Sequence, residues 1–268
     1  YCKQIIKPVW DRYGYERVWA PREENGQVVE GEKFEMMNLE QDPQLAELTK
    51  RLTQTSETFA FTCRGNEPRE TIRYLIKQGV PFKIADKHNK FKFKYPTVHI
   101  TNQRNFLKLI RENEKITATS IKKILKNILP EYAGKGNLDK LDKGSVKYDI
   151  EWLIKHQFLN PLVKKSDDFQ TIQNVSKLDK PSYISTIEMK NFIRNVVKYD
   201  PSDNLKKNPR IFLENIHTIK GKEFDNAIVD LTILREEDDF TKARIKYVAC
   251  SRAKKTLWII KSRNGMTL

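Results

Sequence analysis

The sequence predicts an α/β protein. A parallel sheet is assembled from two separated stretches, residues 1–95 and 205–268, with a basic, mainly helical insertion over 96–204 between them. Three observations carry this. A strand–helix–strand rhythm with short links runs over 58–85, the pattern of parallel pairing. From about residue 100 to 200 it gives way to apolar residues at helical spacing. Short apolar runs typical of buried strands return from residue 211.

Residues 1–40 read as irregular, with Trp10, Trp19 and glycines at 26 and 31. DPQLAELTKRL is a helix: Asp42 can cap it, Pro43 suits its first turn, and Leu45, Leu48 and Leu52 share one face. TFAFT (58–62) is a strand. NEPRETIRYLIKQG is a second helix, with Asn66 as cap, Ile72, Leu75 and Ile76 facing inward and Gly79 as stop. VPFKIA is a second strand. In the insertion, Phe106, Leu109 and Ile110 mark one helix, and Ile121, Ile124, Leu125 and Ile128 mark another that ends at Pro130. Ile150, Leu153 and Ile154 mark a third. Ile187, Phe192, Ile193 and Val196 mark a fourth, with Ser185 and Glu188 spaced as a capping box. AGKGNLDKLDKG (133–144) is a polar loop. IFLENI and NAIVDL are strands, TKARIKYVACSRA a helix and TLWIIK a last strand.

The formal net charge is +15 over 268 residues, which favours a polyanionic partner. Residues 90–210 hold 25 Lys and Arg against 13 Asp and Glu, so +12 of that charge belongs to the helical segment. Hydrophobic residues make up 38% and are clustered periodically, which excludes a disordered chain. Cys2, Cys63 and Cys250 are scattered and odd in number, so neither a disulfide framework nor a metal site is expected. A reducing, cytoplasmic setting fits, with no membrane partner. No run is long and apolar enough to span a bilayer. The opening YCKQIIKPVW reads as the interior of a longer protein.

NIHTIKGKEFDNAIVDL, from Asn215 to Leu231, sets a histidine, a Lys-Gly step and a lone glutamate between two strand-like runs. A plain connection does not need so many donors and acceptors. It is not a phosphate-binding loop: Gly221-Lys222 precedes Glu223, and Gly134-Lys135 precedes Gly136, where a Walker loop needs Ser or Thr after the lysine. The chain has no complete NTPase site of its own.

IHTIKGKEFDNAIV resembles motif V of superfamily 1 helicases of the UvrD/Rep/PcrA type, T-x-H-x-x-K-G-L-E-F. RIKYVACSRAKKTLWII is similar to their motif VI, and FTCRGNEPRETIRYLIKQGVPFKI to the Y-R-S-N-x-x-S-R segment of the same second RecA-like domain. The three segments stand in family order and cover about a quarter of the chain. Lys222 stands where leucine is usual, Asn215 and Ser251 replace threonines, and Lys242 replaces a common glutamate.

The resemblance implies a RecA-like fold and a nucleotide site shared with a first RecA-like domain, the protein's missing N-terminal partner. That domain supplies the Walker loop and the acids for ATP and Mg2+. No cofactor is expected on this chain alone. Arg252 is the residue implied to reach the γ-phosphate, Glu223 the one implied for the nucleotide sugar, and Lys220 and Gly221 lie beside them. His217 and Thr218 lie between nucleotide and DNA surfaces, and Arg64 and Asn66 match contacts to single-stranded DNA. Single-stranded DNA and a single/double-strand junction are the implied partners, and 3′ to 5′ is the implied polarity.

Each residue also has an ordinary structural reading. Arg252 suits a helix C-terminus, Glu223 a helix N-terminus, His217 a loop and Asn66 a cap. Arg244 supports motif VI or meets phosphate, and Tyr247 and Trp258 fit the core better than a stacking platform. Two other functions share the motifs. One is a helicase–nuclease subunit of the RecB/AddA kind. The other is a nucleic-acid-binding module without ATP chemistry, against which Arg252 and Glu223 argue.

Overall fold

The computed structural model describes residues 31–63, 68–85, 91–142, 146–201, 209–231 and 238–261. It also describes Gln4, Lys7 and Asp11 and the backbone of two short strands at 23–24 and 27–28. The chain divides into two compact units: residues 1–92 with 204–268, and residues 93–203.

The first unit contributes β1 (Glu23–Glu24), β2 (Gln27–Val28), β3 (Glu32–Met36), α1 (Leu45–Gln54), β4 (Phe59–Cys63), α2 (Arg69–Gln78) and β5 (Lys83–Ala85). The second contributes α3 (Thr97–Ile110), β6 (Ile116–Thr117), α4 (Ala118–Leu125), β7 (Lys147–Tyr148), α5 (Ile150–Lys155), α6 (Phe169–Ile172) and α7 (Thr186–Tyr199). The chain then returns to the first unit as β8 (Ile211–Asn215), β9 (Phe224–Asp230), α8 (Asp239–Cys250) and β10 (Ala253–Ile260).

Six strands form one parallel sheet in the order β3-β10-β9-β4-β8-β5. The fold is α/β, as the sequence predicts, and is consistent with a RecA-like domain. Phe59 of β4 pairs with Ile211 on one side and Asn226 on the other. β4 is buried at all five positions, as a central strand covered on both faces must be. On one face Ala227, Val229, Leu257 and Ile259 pack with Ile245, Ala249 and Cys250 of α8. On the other, Trp258 stacks on Phe34 (4.3 Å) and Phe61 meets Tyr74 of α2. Arg51 of α1 lies over Phe34 and Trp258 and donates to Thr256 Oγ1 at 2.8 Å. Trp258 is fully buried and belongs to the core.

Three local expectations are corrected. β3 lies in the stretch read as irregular; EKFEM is an edge strand whose exposed positions carry charge, so it lacks an apolar run. Asp42 does not cap α1, which begins after Gln44 without a side-chain cap; its carboxylate accepts from Met37 N and Gln44 N in the preceding turn. The residue before α2 is Pro68, also without a side-chain cap, and Asn66 lies outside the described residues. Gly79 does end α2, in the left-handed conformation, donating to Leu75 O and Ile76 O.

In the second unit the four predicted helical segments are α3, α4, α5 and α7. Phe106, Ile121, Ile124, Leu153, Phe158, Phe169 and Ile172 share one core. The Ser185–Glu188 capping box of α7 is formed in both directions. Ile187, read as a core position, is 72% exposed, because the helix buries its other face through Met189, Phe192, Ile193 and Val196. The polar loop is pinned: Gly134 N donates to Phe158 O and Gly136 N to Gln157 O. A Cβ on Gly134 would lie 1.9 Å from Gln157 O, so the backbones approach too closely for a side chain. Among the described residues no helix is long and apolar enough to cross a membrane.

Candidate functional site

The polar stretch from Asn215 begins where β8 ends. Thr218 N and Ile219 N both donate to Asn215 O, and Asn215 Oδ1 accepts from His217 N at 3.0 Å. Asn215 therefore caps a single helical turn. Asparagine serves that role as threonine does, so the departure from the family residue keeps the chemistry. The connection then returns to the start of β9, parallel to β8. Ile216 and Ile219, three apart, are buried against the sheet, Ile219 beside Ala60 and Phe224. The opposite side displays His217, Lys220, Gly221, Lys222 and Glu223. Gly221 has φ +82°, and open space surrounds the position of a Cβ; glycine is required there by conformation alone.

Lys222 has a partner that sequence reasoning missed. Its ammonium lies 2.6 and 2.7 Å from the two oxygens of Glu214 in β8. The Glu214 side chain is 2% exposed and that of Lys222 is 48% exposed. Thr218 Oγ1 lies 3.2 Å from the same carboxylate and 2.8 Å from Asn215 O. One hydroxyl has one proton, so the shorter contact to Asn215 O takes it. A leucine at 222 would leave this buried carboxylate unpaired. The available signal was Glu214 itself, an acid inside an otherwise apolar run, with a lysine where leucine is usual.

Arg252 stands in the turn between α8 and β10. Its backbone carbonyl accepts from Phe224 N (2.9 Å), which joins the start of β9 to the start of β10. Its guanidinium donates through Nε to Val248 O (3.0 Å), through Nη2 to Ser251 Oγ (2.7 Å) and through Nη1 to Lys222 O (3.3 Å). The contact with Val248 O is the ordinary one for a cation at a helix C-terminus; the contact with Lys222 O reaches across to the other segment. N–H bonds on both terminal nitrogens remain. Glu223 lies 3.5 Å from Lys254 and is largely exposed. Alongside, Asp225 accepts from Thr58 N and Thr58 Oγ1, both at 2.9 Å, and lies 3.3 Å from Lys255.

The fold thus brings Lys220, Gly221, Glu223 and Arg252 onto adjoining loops, with His217 and Thr218 on the preceding turn. The side chains of His217 and Lys220 make no hydrogen bond or ion pair with the described residues. Arg64, like Asn66, lies outside the described residues. Arg244 packs its guanidinium over the Phe240 ring, 5.3 Å from its centroid.

Residues 210–260 match the family model of the UvrD-like helicase C-terminal domain. No curated protein matches the chain. The matched residues run from the start of β8 to the end of β10 and include the turn, Lys222, Glu223 and Arg252. Over the segment that builds this site, the chain is therefore similar to the UvrD-like helicase C-terminal domain, consistent with the UvrD/Rep/PcrA type.

Proposed function

We propose that the chain is the second RecA-like domain, with its helical insertion, of an ATP-dependent DNA helicase or translocase working inside the cell. The observation that supports this most is the closure of two distant segments on each other, through Phe224 N to Arg252 O and Arg252 Nη1 to Lys222 O.

The donor set fits one side of a nucleotide. Arg252 offers a permanent positive charge with directed N–H bonds, suited to a γ-phosphate. The exposed carboxylate of Glu223 can accept from ribose hydroxyls. Lys220 and the backbone at Gly221 lie beside these groups. ATP, held with Mg2+ by the first RecA-like domain, supplies the phosphoryl group whose hydrolysis drives movement. His217, Thr218, Arg64 and Asn66 are assigned to the DNA side, with single-stranded DNA and a strand junction as partners. The chain by itself is expected not to hydrolyse ATP.

The test is steady-state ATPase of the intact protein with saturating single-stranded DNA. Arg252→Ala should lower kcat by about 10³ to 10⁵, the usual worth of an arginine finger, and leave DNA affinity unchanged. Arg252→Lys should recover little of it, because an ammonium lacks the forked donor geometry. A loss below tenfold with unchanged melting would refute the assignment.

A further inference from the structure

We infer that Lys222 is a positioning residue acting through Arg252, and that the buried carboxylate of Glu214 holds it in place. The inference rests on the role proposed above for Arg252.

Glu214 is almost wholly withdrawn from water, and its charge is answered by Lys222 Nζ at 2.6 and 2.7 Å. A desolvated carboxylate without such a partner is strongly unfavourable. Lys222 is only half-buried, so water was open to its ammonium; it is Glu214 that directs it inward. The side chains on either side give little independent support. Gly221 is in the left-handed region with nothing packed where a side chain would be, and Glu223 is exposed. The nearest anchors are Ile219 before and Phe224 after. Within that short span, Lys222 N donates to Ile219 O and Lys222 O accepts from Arg252 Nη1. The side-chain contact with Glu214 thus joins the turn bond to Ile219 O in setting the Lys222 carbonyl, which with Val248 O and Ser251 Oγ receives the guanidinium. This also accounts for the lysine in place of the family leucine: Glu214 and Lys222 form one unit, and changing either alone strands a buried charge or a carbonyl.

The experiment measures hydrolysis by the intact protein with labelled ATP under steady-state and single-turnover conditions, together with single-stranded DNA affinity and thermal melting. Lys222→Leu is expected to lower kcat roughly 10- to 100-fold, the scale of a misplaced catalytic group. The KM for ATP and the DNA affinity should stay within about twofold. In an Arg252→Ala background the same change should cost less than about twofold further, because the group it positions is gone. Glu214→Gln keeps the shape of the side chain and should remain folded if Lys222→Leu does not. It is expected to give a smaller loss, again in kcat alone and again abolished by Arg252→Ala. The inference is overturned by an unchanged kcat, by losses of DNA binding equal to those of kcat, or by the same factor lost with and without Arg252. If Arg252→Ala itself costs less than tenfold, the inference falls together with the reading it rests on. In the other overturning results Arg252 retains its large effect and that reading stands.

Discussion

Asp225 ties the start of β9 to the residue before β4. Burial favours the protonated form of its carboxyl, but the amide and hydroxyl of Thr58 and the ammonium of Lys255 outweigh it and hold the group below the usual aspartate range. A folded-state value below the unfolded value of about 3.9 means that the stabilisation is fully present above that pH. It is lost as pH falls through the lowered value. Asp225→Asn should therefore be less stable near neutrality and show a flatter loss below about pH 4 in urea unfolding. Parallel pH curves for the two proteins would contradict this. The residue-level chemistry was only partly legible. Histidine, lysine, glycine and glutamate at family spacing marked the stretch 217–223, but the inward turn of Lys222 toward Glu214 depends on which face of β8 is covered. A strand's alternation alone does not state that.

Elements with strong local signals came through. The spacing of Ser185 and Glu188 marks the start of α7 without reference to any tertiary contact, because a capping box is closed within four residues. Ser185→Ala should cost about 1 kcal/mol, seen as faster hydrogen exchange across α7. Gly134→Ala should cost more, roughly 1–3 kcal/mol, because its Cβ would meet a backbone oxygen that cannot rotate away. Exchange of the amides at Gly134 and Gly136 is the readout, and wild-type protection in that variant would sink the close-approach argument. The need for these glycines could not be read from AGKGN, where they resemble ordinary loop residues. It comes from the pairing of Ala133 with Leu159, two segments joined only in the folded unit. β3 was missed for a related reason: an edge strand with charged outer positions is stabilised by the ladder to β10 rather than by its own apolar content.

Across the whole molecule, most of the net charge resides in residues 90–210. Lysines that neutralise phosphates release counterions, so single-stranded DNA binding by the chain should weaken steeply and log-linearly with salt. Removing residues 93–203, the second compact unit, and rejoining the first should abolish most of that binding. Salt-insensitive binding, or binding that survives the deletion, would show that the basic unit is not a DNA-binding element. Along the sequence the period changes from short apolar runs to helical spacing and back. That change reports the number and kind of elements, not their neighbours.

The sequence by itself determined the α/β class, the central strands, the amphipathic helices, the Ser185 cap and the ordered family motifs. Each depends on spacing within a few residues, which fixes what one face of an element can bury. Tertiary structure alone decided the strand order, the place of β3 and the meeting of the two site segments. Arg51 bonds to Thr256, 205 residues away. Arg252 reaches Lys222 only because β9 and β10 lie side by side. Glu214 needs Lys222 only because the return of the chain from β8 buries its carboxylate beneath that turn. Such pairings are chosen by backbone hydrogen bonds and burial across long separations, and local composition carries no record of them.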